Sequence, residues 1–448
     1  MSKLRDWCIP VKTPALRTSL AIAHLALIIF CVYSAGRKWN VVRKPMFWCA
    51  FFVRLFAGIC LGLIYTYYYS ASDTWQFFSD AKMLSAIGRE DFLSYIKILI
   101  DFGGDEILPL LTTQEFRSVF FIKIISLLCL LSLDNYWVCA AYLSLLAFIV
   151  SWSLHRKVIS LFPEASSASS LAFLFFPSVV FWSSGLEKES LAMCGIFFLT
   201  RVFLTLMVPA RPGKTSWLLA ILAALVVWSL KYYWAIVFFM AVLTAFVMRF
   251  MTSWFPSIKR YQIGLWVVLF FGIGVLLSFS HPNLYLNRFL EVIVSNNYEF
   301  VAHSSPQNLI HYIHFDQTWT SIIVNSPWAL ASGLFRPVLG EGHGVLGLLA
   351  SMENLLLLTL FFGAFVNIKS TLASSHQITL LAVISYCVVL CVFLALSTPN
   401  FGTLSRYRIG FLPFLVFILA YRNPVLEWVS AKLGEMLHWL QLLSLPKF

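Results

Sequence analysis

Long apolar runs, each approaching the length that crosses a bilayer, limit what this chain can become. Ten lie near 46–68, 137–154, 166–183, 190–208, 216–230, 233–250, 263–280, 344–366, 377–397 and 408–421. A helix needs about 20 residues to cross the hydrocarbon. Of 448 residues, 60% are apolar and 12% charged, against roughly 45–50% and 25% in soluble domains. That excludes a soluble globular fold, a disordered chain and a small disulfide scaffold. The expected fold class is an all-α polytopic membrane protein with about 10–11 transmembrane helices. Residues 1–448 read as a single transmembrane domain.

All nine cysteines sit in or beside apolar runs and no C-x-x-C occurs. Neither a disulfide framework nor a zinc site is expected. The net charge is +12, but Lys and Arg punctuate the runs instead of clustering on one domain. That is the pattern of cytoplasmic loops, not of nucleic-acid binding.

Three further apolar stretches are ambiguous. Arg117 and Lys123 interrupt 116–133, and Asn325-Ser326-Pro327 interrupts 321–335; both read as interfacial or re-entrant. Leaving them out puts His155-Arg156-Lys157, Arg211, Lys214, Arg249, Lys259, Arg260, Lys369 and Arg422 on one side, with Arg37-Lys38 and Arg43-Lys44. That side is the expected cytoplasm. Stretch 18–36 is long enough to cross but would carry Lys3, Arg5, Lys12 and Arg17 to the opposite side. It reads as interfacial or crossing, and a cleaved signal peptide fits poorly because of Tyr33. The tail 423–448 reads as an amphipathic cytoplasmic helix.

The extracytoplasmic side receives 69–136, 184–189, 281–343 and 398–407. Within it, 69–115 holds eight acids and three bases. Phe92, Leu93, Ile96, Leu99 and Ile100 give it one helical apolar stripe, as in a helix lying along a membrane. The second large loop, 281–343, carries His281, His303, His311, His314, Asp316, Glu341 and His343 without metal-ligand spacing.

Four places carry candidate chemistry. In a helix from Asp73, Phe77 and Asp80 would share its face. Two carboxylates there could deprotonate a hydroxyl or hold a divalent cation such as Mg or Mn, or simply start a solvated helix. Glu187, Lys188 and Glu189 follow a span that breaks at Pro177–Gly185, an aromatic-belt turn or a second acidic wall. Arg406 and Arg408 form a cationic pair at the mouth of the last span, suited to a lipid phosphate or to anchoring. Arg336, before Pro337 and a Gly-rich turn, is a second phosphate candidate. Inside spans lie Arg54, Arg201 and Glu353, where a charge is a functional hypothesis by default. No hydrolase triad, nucleotide fingerprint or kinase motif occurs.

At these residues the sequence resembles the GT-C-type membrane glycosyltransferases, the group of polyprenyl-phosphate-sugar-dependent enzymes that includes the dolichyl-phosphate-mannose–protein mannosyltransferases. Asp73–Ala81 is similar to their Asp-x-x-x-Tyr-x-x-x-Ala region, with Phe77 and Phe78 where Tyr is usual. Pro177–Glu189, Leu334–Pro337, Glu353-Asn354 and Arg406–Arg408 are similar to stretches of membrane proteins from bacterial surface-polysaccharide clusters. The resemblance implies an inverting transferase of the inner membrane, facing outward. Its partners would be a polyprenyl-phosphate-linked sugar and a glycan, lipid or protein acceptor. Asp73 would be the catalytic base. Arg406, Arg408 and Arg336 would hold phosphate, and Asp80, Glu187 or Glu189 would orient the acceptor or bind a cation. A repeat-unit polymerase or ligase, a flippase of lipid-linked sugars and a non-enzymatic assembly protein are the alternatives.

Overall fold

The computed structural model describes residues 14–69, 72–101, 109, 111–342, 344–366 and 376–432. His343 and most of the expected tail helix, from 433 on, lie outside them. Seventeen α-helices account for most of the described residues, which contain no strand beyond one bridge between Leu309 and Asn400.

Among the described residues eight helices are long and apolar enough to cross a membrane: Thr18–Lys38, Pro45–Tyr67, Tyr136–Leu161, Lys188–Leu206, Lys214–Trp254, Pro256–Ser278, Gly344–Val366 and Gln377–Ser397. Phe401–Gly410 and Leu412–Ala420, bent by 71°, make a ninth if counted as one span. Against the ten runs, Thr18–Lys38 is an addition and two local features each remove one. The helix Lys214–Trp254 contains both 216–230 and 233–250, joined at Lys231, whose φ of −145° and ψ of 63° break the helix. Run 166–183 is split into Ser166–Ser170, a π turn at Leu171–Phe175 and Pro177–Trp182. Phe176 is extended, as the residue before a proline prefers.

By contact the chain divides into two compact units. Unit 1 comprises Met1–Leu154, Val180–Val202 and Gly213–Tyr232; unit 2 comprises His155–Val179, Phe203–Pro212 and Tyr233–Phe448.

In unit 1 the elements are α1 (Pro14–Lys38), α2 (Pro45–Tyr67), α3 (Asp73–Glu90), α4 (Phe92–Ile100), α5 (Phe116–Ser132), most of α6 (Tyr136–Leu161) and parts of Lys188–Leu206 and Lys214–Trp254. The acidic loop is therefore mostly helix. Phe77 packs edge-on against Phe121 of α5, and the Tyr95 hydroxyl meets Ser126 Oγ at 2.8 Å. Gly88 leaves room for the Tyr95 ring, which a Cβ would approach to 3.0 Å. On α4 the Asp91 side chain caps the Leu93 and Ser94 amides. Phe92, Leu93 and Ile100 of α4 are exposed, an apolar face that needs lipid. The helix α5 has 17 residues, about 25 Å at 1.5 Å per residue, short of a full span.

The ambiguity over 18–36 ends in a helix long enough to cross. His24 Nδ1 meets the Tyr142 hydroxyl at 2.8 Å, and Leu20 shares a pocket with Asn135, Tyr136 and Trp137. The start of α1 therefore lies beside the start of α6, at the end of unit 1 that carries the acidic loop.

In unit 2, 321–335 is one continuous helix, Trp319–Phe335, with Pro327 inside it. It buries Ser321, Ile322, Asn325, Ala329, Ser332 and Gly333. Gly333 lies where a Cβ would come within 2.7 Å of Cys391 Sγ, so the two helices meet almost backbone to backbone, as small residues permit in membranes. Asn325 is used locally: its side chain bonds the amide and carbonyl of Ile313.

Candidate functional site

In unit 1 the centre is the turn 183–187, between the short helix Pro177–Trp182 and the helix Lys188–Leu206. Three elements fasten it. From α2, Arg54 Nη1 donates to Ser183 Oγ at 2.6 Å. One turn further along α2, Gly58 faces Gly185, whose φ is +77°. A Cβ on Gly185 would lie 3.2 Å from the Gly58 carbonyl oxygen. From α6, Ser144 Oγ accepts the Gly185 amide. From α3, Thr74 Oγ1 donates to the Leu186 carbonyl at 2.7 Å and pairs with the Tyr136 hydroxyl at 2.9 Å. Gly185→Ala should therefore cost at least about 1–2 kcal/mol for the left-handed backbone alone. The check is thermal inactivation of the purified protein, with Gly213→Ala, which meets nothing within 4 Å, as reference.

These ties bury Glu187 and Glu189, each 1% exposed. Glu189 Oε1 accepts from Lys231 Nζ at 2.7 Å, and both side chains are enclosed. The cation thus sits where the helix Lys214–Trp254 breaks, a position that sequence reading takes only as a boundary between two runs. Lys188 points elsewhere: its ammonium lies 3.0 Å from Ser118 Oγ, 3.4 Å from Glu115 and 4.9 Å from the Phe77 ring centre. Burial raises the Glu115 pKa, but Arg117 and Lys188 outweigh it and hold the carboxyl below its ordinary value. Its pairing is therefore lost only as pH falls through that lowered pKa.

Asp73 and Asp80 part company despite sharing a helical face. Asp73 heads α3, behind the Ser72 cap, and is exposed. Asp80 is buried and accepts from Thr112 through the amide (3.3 and 3.2 Å) and the hydroxyl (2.8 Å). Its carboxylate fastens the loop ahead of α5. Nearby, Leu20, Trp75, Phe78, Asp134, Tyr136 and Trp137 help to line a pocket of about 220 Å³. Trp75 and Tyr136 stack at 4.0 Å.

In unit 2, the expected pair of surface arginines is not formed. Arg408 is 1% exposed and reaches Glu353 Oε1 at 3.3 Å. Glu353 also accepts from the Ser178 amide at 2.7 Å and the Ser178 hydroxyl at 2.5 Å. The carboxylate thus braces the start of Pro177–Trp182 against Arg408, and sequence reading missed Ser178 as its partner. Arg406 is half-buried, its guanidinium 5.3 Å from the Tyr407 ring centre. Arg336 is also half-buried and forks onto Glu341. His311 and His314 join no ligand group: among the described residues no three His, Cys, Asp or Glu are placed to hold a metal ion.

In unit 1, Asp73 is exposed and can take a proton, while the enclosed Glu187, Glu189 and Lys231 hold the turn beside it. The arginines of unit 2 can hold an anion. Comparison with protein-family models, curated proteins and solved structures finds no match, so what the chain is established to be is a multi-pass, all-α membrane protein.

Proposed function

We propose that the chain is a glycosyltransferase that moves a sugar from a polyprenyl-phosphate carrier to a hydroxyl acceptor. It would act on the extracytoplasmic face of a bacterial inner membrane, in surface polysaccharide or glycoconjugate synthesis. One observation carries this reading: the bond from Thr74 to the Leu186 carbonyl. It joins the first turn of α3, headed by Asp73, to the turn that presents Glu187 and Glu189, more than a hundred residues away.

In this reading Asp73 takes the proton from the acceptor hydroxyl. The acceptor oxygen bonds to the anomeric carbon as the bond from that carbon to the phosphate oxygen breaks, and the electron pair leaves on phosphate. A single displacement inverts the anomeric centre. Glu187 and Glu189, both enclosed, act from beneath by holding the turn in place, and no step runs through a metal, because no group among the described residues is placed to hold one. Considered within unit 2 alone, Arg406 and Arg336 are the cations whose chemistry suits a lipid phosphate. Arg408 serves as a brace through Glu353. Aromatic faces in the pocket beside Trp75 and Trp137 suit a sugar ring.

A flippase of lipid-linked sugars is the second reading. The buried Lys231–Glu189 pair at a helix break favours it, since transporters place charges at interrupted helices.

One experiment separates the two. The purified full chain is placed in sealed vesicles with radiolabelled lipid-linked sugars extracted from a strain lacking the protein. Transfer moves label from the organic-soluble carrier to an acceptor and releases polyprenyl phosphate. Flipping changes the leaflet but leaves label on the carrier. Repeated addition to one acceptor would identify a polymerase. No movement by any route counts against all three.

A further inference from the structure

Arg336 ends the helix Trp319–Phe335 with its guanidinium over two rings, 5.4 Å from the centre of Trp328 and 4.9 Å from that of Phe401. The rings leave the edges of the fork for an anion. The anion there now is Glu341, reached by Nε at 3.0 Å and Nη2 at 2.8 Å. No bond from Nη1 is made among the described residues.

Glu341 is presented by a turn that closes on itself. Its Oε2 accepts the Val338 amide at 2.9 Å, and its own amide donates to the Val338 carbonyl at 3.0 Å. The tip of the turn is exposed at Val338, Leu339 and Gly340. Gly340 has φ +95° and open space where a Cβ would be. The cation is thus clamped by rings, while its carboxylate sits on a surface turn. Both side chains are partly exposed, 20% and 31%, so their pairing contributes little net stability.

A carboxylate and a phosphate make the same two-pronged contact with Arg. We propose that Glu341 is a displaceable internal anion on a phosphate-binding site at Arg336. A phosphate monoester or pyrophosphate takes the fork, and the turn 338–341 swings away. The two anions exclude each other because like charges at one guanidinium repel. This rests on Arg336 as a phosphate ligand, but not on any transfer chemistry.

The test uses the full chain in phosphatidylcholine nanodiscs with an environment-sensitive fluorescent amino acid at position 339. Citronellyl phosphate, pyrophosphate and inorganic phosphate are titrated, with citronellol as the uncharged control. A saturable change is expected for the wild type. Glu341→Gln keeps the shape of the turn but removes the competing charge, and should bind about fivefold more tightly, the scale of one half-exposed pair. Arg336→Ala should abolish the response. A response confined to citronellyl phosphate assigns the site to a lipid carrier; a response to all three assigns it to phosphate itself. The proposal is overturned if Glu341→Gln binds no more tightly, if Arg336→Ala binds as the wild type, or if citronellol alone gives the same change. Binding in the expected order alongside a negative vesicle assay would leave this site standing and remove the transferase reading.

Discussion

Asp73→Asn should leave a folded, membrane-inserted protein whose transfer rate has fallen by about 10²- to 10⁴-fold, the range that one general base supplies. The residue is exposed at the first position of α3. Asn keeps the size and hydrogen-bonding capacity of the side chain there, and the attraction of a carboxylate for a helix N-terminus that it forfeits is about 0.3–1 kcal/mol. The effects on rate and on stability are therefore well separated. A strain lacking the protein, complemented with each variant, should accumulate lipid-linked sugar with Asp73→Asn at normal protein level. Asp80→Asn should behave differently, because Asp80 holds Thr112. It should lower thermal stability, and any loss of rate should follow the loss of folded protein. If Asp73→Asn restores the surface glycan fully, Asp73 is not the base, and the flippase reading moves forward.

Lys231→Met should be the most damaging single change to the fold. It strands the Glu189 carboxylate, 1% exposed, without the ammonium at 2.7 Å. Removing one partner of a buried pair costs about 3–5 kcal/mol, whereas replacing both with neutral groups of like shape costs far less. The double variant Lys231→Met with Glu189→Gln should therefore regain most of the thermal stability lost in the single one. Comparable melting of the single and double variants would show that the pair is not what holds the break in Lys214–Trp254. Rescued stability without rescued activity would give the pair a second role in ordering ligand.

The approximate place of most apolar runs was legible because hydrophobicity over about 20 residues leaves few alternatives in a membrane; the number of spans was not, since ten runs became eight helices, or nine with the bent pair, among the described residues. The helix on 92–100 was legible for the same reason: its stripe of Phe92, Leu93 and Ile100 has one geometry that puts it in lipid. Asp73 and Asp80 were legible as neighbours on one face. Their different fates were not, since the burial of Asp80 depends on Thr112, 32 residues away. Likewise Arg406 and Arg408 look equivalent in sequence. One of them, Arg408, is enclosed against Glu353, a carboxylate that Ser178 also holds from another helix.

The sequence by itself determined that this chain is helical and that it sits in a membrane. Those properties follow from local composition, because every backbone polar group in lipid must be satisfied within its own segment. Only the tertiary structure decided which charges are exposed and which are enclosed. Lys231 is a loop boundary in sequence and a buried counter-ion in the fold. Glu341 is one acid in a long loop and becomes the partner of Arg336. A charge's surroundings are set by the helices that close around it, and that closure is a property of packing at long range.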